Sequence, residues 1–242
     1  MGRARRGATD LNGVLLVDKP TGITSHDVVD CLRRASGEGR IGHAGTLDPM
    51  ATGLLVVCVG PATKLAEHLT AADKSYLARI IFGTSTATDD REGEVLEQAT
   101  PPACLADPEY VQSILAAFVG EISQMPPQFS AIKLDGVPAY RLARQGRQAE
   151  LKARQVRISS LELLAATADS WDISADVSKG TYIRSLARDI GQAVGCPAHL
   201  GELRRSAVGQ WRVSQAQPLA ELEAAARAGS LTEHFLELAV GQ

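Results

Sequence analysis

Twelve residues, Gly42-His43-Ala44-Gly45-Thr46-Leu47-Asp48-Pro49-Met50-Ala51-Thr52-Gly53, constrain this chain more than any other stretch. Three glycines and a proline within them predict a loop and exclude a regular helix or strand there. The run that follows, Leu54 to Val59, is apolar throughout and reads as a buried strand. The loop therefore feeds directly into the core. It holds one carboxylate, Asp48, and Pro49 biases that residue toward an extended backbone. A lone acid on a loop anchored by a buried strand is a place for chemistry. Asp-Pro is also a common turn pair and Asp a common helix cap, so the loop alone leaves both readings open.

The rest of the chain limits what that chemistry could be. At 242 residues and 45% hydrophobic content it can bury a core as one large domain or two modest ones. No apolar run approaches a membrane span. Residues 1–10 carry Arg3, Arg5 and Arg6 without a following apolar region, which predicts a disordered basic tail and not a secretory signal. Cys31, Cys58, Cys104 and Cys196 are far apart and have no metal-ligand spacing with His43, His68 or His199. That pattern predicts reduced thiols, a cytoplasmic location and no metal.

Net charge is −3, yet it is unevenly spread. Between Gln124 and Ser160, Lys133, Arg141, Arg144, Arg147, Lys152, Arg154 and Arg157 stand against only Asp135 and Glu150. Between Lys179 and Arg205 a smaller basic excess recurs, and acids collect at Asp89 to Glu97 and Glu221 to Glu237. A chain polarised in this way can present a basic face to phosphates while remaining acidic overall; scattered surface charge is the plainer alternative.

In order, the pattern predicts a strand at Gly13 to Val17 and a helix from a Thr24–Asp27 capping box. A helical turn at Pro61 and an alternating strand at Lys74 to Phe82 follow. Thr84 to Gly93 reads as a polar turn. A helix at Pro108 to Phe118 would turn Val111, Ile114, Leu115 and Phe118 inward. Gln124 to Gln128 must be irregular around Pro126-Pro127. An Asp135-Gly136 turn precedes a short helix over Pro138 to Gln145, which Gly146 ends. Strands are predicted at Val156 to Leu164, Trp171 to Val177 and Ala207 to Val213, with helices at Tyr182 to Val194 and Leu219 to Arg227. The mixture lacks regular βαβ alternation, so the expected class is α+β.

Six ordered motifs then resemble one family. Asp18-Lys19-Pro20-Thr21-Gly22-Ile23-Thr24-Ser25, Gly45-Thr46-Leu47-Asp48-Pro49 and Lys74-Ser75-Tyr76 are similar to motifs of the TruB family of tRNA pseudouridine-55 synthases. So are Pro126 to Lys133 with Ala139 to Gly146, Lys179-Gly180-Thr181-Tyr182-Ile183-Arg184-Ser185-Leu186, and Leu203-Arg204-Arg205. The resemblance implies a pseudouridine synthase fold, with a central, mixed but mostly antiparallel sheet flanked by helices and bearing an RNA-binding insertion. It implies isomerisation of uridine-55 in the tRNA T-loop: the N1–C1′ bond breaks, the base turns, and C5 bonds to C1′.

The family assigns roles to matching positions. Asp48 would be the catalytic carboxylate; with a reference pKa of ~3.9 it is ionised at neutral pH and able to act as nucleophile on the ribose or as base on a glycal route. Arg184 would pair with it, Tyr76 would stack on the base, and Tyr182 and Leu203 would line the pocket. Lys19 and Pro20 would support it. His43 would fill the space left by a flipped-out uridine. Lys64, Lys133, Arg141, Arg144 and Arg147 would contact RNA, chiefly phosphates. No cofactor, membrane or guide RNA is implied, and a monomer is expected.

The expected layout is a catalytic domain over 11–215, its insertion at about 124–152, and a helical extension over 216–242, too short for the complete PUA domain common in bacterial members. Three other readings remain. A tRNA-folding protein would use the same basic face. A guide-RNA-dependent synthase is disfavoured by the bacterial-style insertion. A phosphotransferase would need a phosphate loop or acidic metal cluster that the sequence lacks.

Overall fold

The computed structural model describes residues 9–130, 132–134, 137–145, 147 and 150–236. Most of the expected tail, the Asp135-Gly136 turn and Gly146 lie outside them, as do the side chains of Lys133 and Arg144. The chain divides into two compact units, Met1–Ser75 with Arg204–Gln242, and Tyr76–Leu203.

In the first unit, β1 (Gly13–Lys19) is followed by α1 (Ser25–Ser36), β2 (Ile41–His43), β3 (Thr52–Val59) and a short α2 (Ala66–Thr70). The capping box holds: the Thr24 hydroxyl accepts from Asp27 N at 3.0 Å, and Asp27 accepts from Thr24 N at 2.8 Å. Val28, Val29 and Leu32 form the buried face of α1, and Gly37 closes it in the left-handed conformation. β1 and β3 pair antiparallel, with Leu16 opposite Val56 and Lys19 opposite Gly53. Both strands are buried almost without interruption, as strands covered on two faces must be. One face packs Val14, Leu16, Leu54, Val56 and Cys58 with Ala44, Ala62 and Val208. That burial pushes the Cys58 thiol up to about 11.

The second unit is built on β4 (Lys74–Phe82), the hairpin β5 (Thr84–Thr86) and β6 (Val95–Gln98), α3 (Pro108–Ala116) and β7 (Gly120–Gln124). A small hairpin of β8 (Lys133–Leu134) and β9 (Val137–Pro138) leads into α4 (Ala139–Arg144). β10 (Arg154–Ala166), β11 (Ser170–Val177), α5 (Ile183–Val194) and β12 (Ala198–Val208) complete it. Its strands run in the order β12-β4-β11-β10-β7, with β10 antiparallel to both neighbours. Alternation along β4 is as expected: Tyr76, Ala78, Ile80 and Phe82 are buried while Leu77 is exposed. Trp171 is fully buried, meets Phe82 edge-on at 4.7 Å and donates Nε1–H to Leu105 O at 2.8 Å.

The chain passes between units after Ser75 and after Leu203, in both cases inside a strand. The C-terminal end of β12 returns to the first unit, where Arg204 and Arg205 lie parallel to Thr52 and Gly53 of β3. β13 (Trp211–Arg212) folds back on β12, β14 (Gln217–Pro218) lies parallel to β1, and α6 (Leu219–Ala228) packs on α1.

Four expectations need correction. Ile41–His43 is a strand despite Gly42, because its backbone completes a ladder on Val57 to Val59. The last long strand begins at Ala198, nine residues earlier than expected, its polar residues alternating with buried ones. The Thr84 to Gly93 region opens a β-hairpin. α3 ends at Ala116, two residues short of Phe118, and on it only Val111 and Leu115 are buried; Ile114, and Phe118 beyond the helix, are half-exposed.

Candidate active site

Within the first unit the loop carrying Asp48 is fastened along its length. It enters through Ala44 N donating to Val56 O at 2.9 Å. The Ser25 hydroxyl, at the start of α1, receives Leu47 N at 2.8 Å and donates to Leu47 O at 3.1 Å. Gly22 N donates to Pro49 O at 2.8 Å, and the Thr21 hydroxyl donates to Met50 O. The loop closes on itself through Ala51 N and Asp48 O, 3.1 Å apart. Leu47, Met50 and Ala51 are buried beneath it, which leaves Asp48 half-buried.

Two cations hold this frame. Lys19 is fully buried, and its ammonium donates to Pro20 O at 2.8 Å, Ile23 O at 2.7 Å and Pro49 O at 3.4 Å. Burying an ammonium is costly unless every N–H is met, and three carbonyls meet this one. Arg205 is buried too, and donates to Leu54 O, Gly45 O and Thr46 O. Gly53 leaves the loop at φ +100, where a Cβ would stand 2.3 Å from Arg205 O, so both conformation and space require glycine.

His43 is half-buried at the end of β2, opposite Val57. Its Nδ1 is buried without a hydrogen-bond partner among the described residues. Burial, then the charges of Arg205 and His26, hold its imidazole below its usual range, so it is neutral at pH 7. The first unit thus carries Lys19, Pro20, His43 and Asp48, with Lys19 joined to the Asp48 loop through Pro49 O. Lys64 lies exposed in the 3₁₀ segment that follows β3.

The second unit organises a different set around α5. Tyr182 is its N-cap residue; Tyr182 N donates to Gln124 Oε1 at 2.8 Å while Gln124 Nε2 donates to Tyr182 O at 3.1 Å. Arg184, 5% exposed, donates to Thr88 O and Phe129 O, both at 3.0 Å, and lies 3.6 Å from Asp90. Asp90 is shaped for this by the Thr88 hydroxyl at 2.5 Å and Glu92 N at 3.0 Å. Arg188 reaches Asp89 at 2.7 Å and Met125 O at 2.8 Å, and the Ser185 hydroxyl also donates to Met125 O. Burial pushes the Asp89 carboxyl up, against the pull of Arg188 and Arg184. One face of α5 therefore pins the 86–93 turn and the segment 124–129. Tyr76 and Leu203, each 8% exposed, sit on the neighbouring strands β4 and β12.

Of the expected RNA contacts here, Arg141 on α4 and Arg147 after it are exposed. Gln124, Asp89, Asp90 and Arg188 had no sequence signal beyond polarity, since each acts through a partner distant in the chain. Arg205 was visible only as the end of the Leu203-Arg204-Arg205 motif, with no sign that it faces inward.

Likenesses of three kinds to known proteins accompany this geometry. The family model described as TruB family pseudouridylate synthase (N terminal domain) matches residues 33–183. The one described as tRNA pseudouridylate synthase B C-terminal domain matches 184–238. The chain is 47% identical to tRNA pseudouridine synthase B of Opitutus terrae, over 89% of this chain and 88% of that one. It is 51% identical to the protein of the same name from a Mycobacterium species (strain KMS), covering 88% of this chain and 72% of its relative. Among solved structures it resembles a chain of a Cbf5-Nop10-Gar1 complex, with TM-score 0.71 and 28% identity over 93% of this chain and 59% of that one. It also resembles a chain of an H/ACA RNP bound to a substrate RNA containing 2′-deoxyuridine, with TM-score 0.67 and 26% identity over 92% and 58%.

Proposed function

The chain belongs to the TruB family of pseudouridylate synthases, and from that premise we propose that it isomerises uridine-55 in the T-loop of tRNA to pseudouridine, with Asp48 as the catalytic carboxylate. The observation that carries the reading is the fastening of the Asp48 loop. Hydrogen bonds donated by Gly22, Thr21, Ser25, Lys19 and Arg205 fix the backbone around a single half-buried acid. A rigid frame around one side chain is what preorganised catalysis requires.

In the reaction the N1–C1′ bond breaks, the base rotates and C5 bonds to C1′; C5 loses its proton and N1 ends protonated, so no atom is gained or lost. An ionised Asp48 supplies the electron pair, either to C1′ or to a ribose proton. Tyr76, Tyr182 and Leu203 are assigned to the base pocket, and Arg184 to keeping the reacting carboxylate ionised. A neutral His43 with an unmet Nδ1 suits a residue that enters RNA in place of an extruded uridine. Lys64, Lys133, Arg141, Arg144 and Arg147 are assigned to the phosphates of the T-arm. The same assignment places the insertion at about 124–152 and a monomer acting without guide RNA in the cell interior.

The test is pseudouridine formation in a T-arm stem-loop and in whole tRNA, with no metal and no guide added. Wild type should convert both, and Asp48→Asn should bind both and convert neither. Conversion by Asp48→Asn would remove Asp48 from the chemistry. Tight binding by wild type with no product on either RNA would leave a tRNA-binding protein instead.

A further inference from the structure

Arg204 and Arg205 are neighbours on β12 with opposite tasks. Arg204 points to the sheet's half-exposed side and pairs both guanidinium nitrogens with Asp18, at 3.0 and 2.8 Å. Arg205 turns inward and is 1% exposed. Its Nε donates to Leu54 O at 2.7 Å, Nη2 to Gly45 O at 3.1 Å and Nη1 to Thr46 O at 3.4 Å. Gly45 and Thr46 precede Asp48; Leu54 follows it. One planar fork therefore bridges the entry and exit of the loop. The main chain of the same residue presses on Gly53, whose missing Cβ would meet Arg205 O at 2.3 Å and Arg205 N at 2.8 Å.

No carboxylate pairs with Arg205 among the described residues; its charge is met by carbonyl dipoles alone. A buried charge without a counter-ion is a poor way to gain stability, because an apolar side chain would fill the same space at lower cost. What the guanidinium supplies and an apolar chain does not is three N–H groups in one fixed plane. We propose that Arg205 is a positioning residue, which sets the reacting geometry of Asp48 by holding both ends of its loop on one guanidinium. The proposal rests on the assignment of the chemistry to Asp48.

A lysine at this position keeps the charge but offers its donors from one point, so it cannot meet carbonyls spread along a planar fork. The experiment compares wild type, Asp48→Asn, Arg205→Lys and Arg205→Met in the full chain. It records single-turnover pseudouridine formation at saturating T-arm stem-loop and, separately, stem-loop affinity by filter binding. Misplacing a reacting group by about 1 Å costs on the order of 10²-fold in rate, and that is the fall expected for Arg205→Lys, with a larger one for Arg205→Met. Affinity should stay within about twofold of wild type, since the interaction is made to the loop and not to RNA. Folded variants that keep the wild-type rate, or that lose only affinity, overturn the proposal.

Two further readouts do not depend on turnover. In Arg205→Met the imidazole of His43, titrated by NMR, should move up toward the ordinary histidine range as a neighbouring positive charge is removed. In the unaltered protein the Nε–H of Arg205 should be as rigid as the backbone and slow to exchange with solvent; a mobile, fast-exchanging Nε–H overturns the clamp even if neither variant folds. A wild type that makes no product, with Arg205 nonetheless rigid, would fault the assignment to Asp48 beneath it, and the positioning role would fall with that assignment.

Discussion

Lys19 shows how much one side chain can decide. Its ammonium satisfies Pro20 O and Ile23 O, and shares Pro49 O with Gly22 N. Lys19→Met would fill the space but leave the part-buried carbonyls of Pro20 and Ile23 without this donor. At about 1–3 kcal/mol for each unsatisfied group, a loss of roughly 2–6 kcal/mol in urea unfolding is expected, and a loss below about 1 kcal/mol would mean that water or a backbone shift replaces it. His43 gives a prediction in pH. Its folded pKa is lowered, so the folded state prefers the neutral ring and the unfolded chain takes up the proton first as pH falls. The stability it confers is complete above the unfolded value of about 6.5, erodes as pH drops from there to the folded pKa, and is flat below. The difference in unfolding free energy between wild type and His43→Gln, followed from pH 8 to 4 (roughly the histidine range), should shrink over that window; a constant difference would mean that His43 titrates normally. Lys19, His43 and Asp48 stood out in the sequence because each lies in or beside a short motif, and the structure sets Lys19 against the Asp48 loop through Pro49 O. Arg205 lies in a motif too, but its position there does not show that it faces inward; that follows from β12 starting at Ala198 and from its hydrogen bonds to Leu54, Gly45 and Thr46.

Elements were legible where local pattern and tertiary burial agree. The helix α1 announced itself through Thr24, Asp27 and the spacing of Val28, Val29 and Leu32, and α5 through Ile183, Leu186, Ala187 and Ile190, all buried. Strand β4 was legible from alternation alone. What was missed is short and polar. β5 with β6 has Val95, Leu96, Glu97 and Gln98 all exposed, so no burial period exists to be read; the hairpin follows from its ladder and from the turn that Thr86 and Thr88 tie to Asp90. β2 and β14 are two- or three-residue additions to strands already formed. The capping box makes a prediction about an element. Thr24→Ala removes the acceptor for Asp27 N and the hydroxyl that Asp27 binds, and should cost about 1 kcal/mol in thermal or urea unfolding. The Ser25 hydroxyl, one residue on, anchors the Asp48 loop at Leu47, so fraying at the N-cap that reaches it should also lower turnover. Unchanged stability would show that the cap is dispensable once α1 is packed on α6.

At the scale of the whole molecule the balance of charge and the proposed partner pull in opposite directions. A net charge of −3 would repel tRNA if it were spread evenly. Instead seven Lys and Arg stand against two acids between Gln124 and Ser160, while Asp89, Asp90, Glu92, Glu94 and Glu97 cluster elsewhere in the same unit. Arg141, Arg147, Lys152, Arg154 and Arg157 are exposed, and no ion pair ties them down among the described residues. Binding through such groups releases counter-ions from the phosphates, so the logarithm of affinity should fall linearly with the logarithm of salt concentration. Each phosphate contact contributes a slope of about 0.7–0.9. Arg141→Ala and Arg147→Ala should therefore each weaken tRNA binding to a similar extent for all tRNAs and reduce the slope by about one. Turnover at saturating tRNA should be unaffected, because phosphate contacts position the substrate without entering the chemistry. Glu94→Gln and Glu97→Gln serve as the opposite control: removing acids remote from the basic stretch in sequence should raise affinity slightly through net charge and leave the slope unchanged. A slope that stays the same in the arginine variants would place the phosphate contacts elsewhere, with the exposed Lys64 and Lys179 as the groups to substitute next. A slope that falls only when both arginines are replaced would mean that the two serve one phosphate between them.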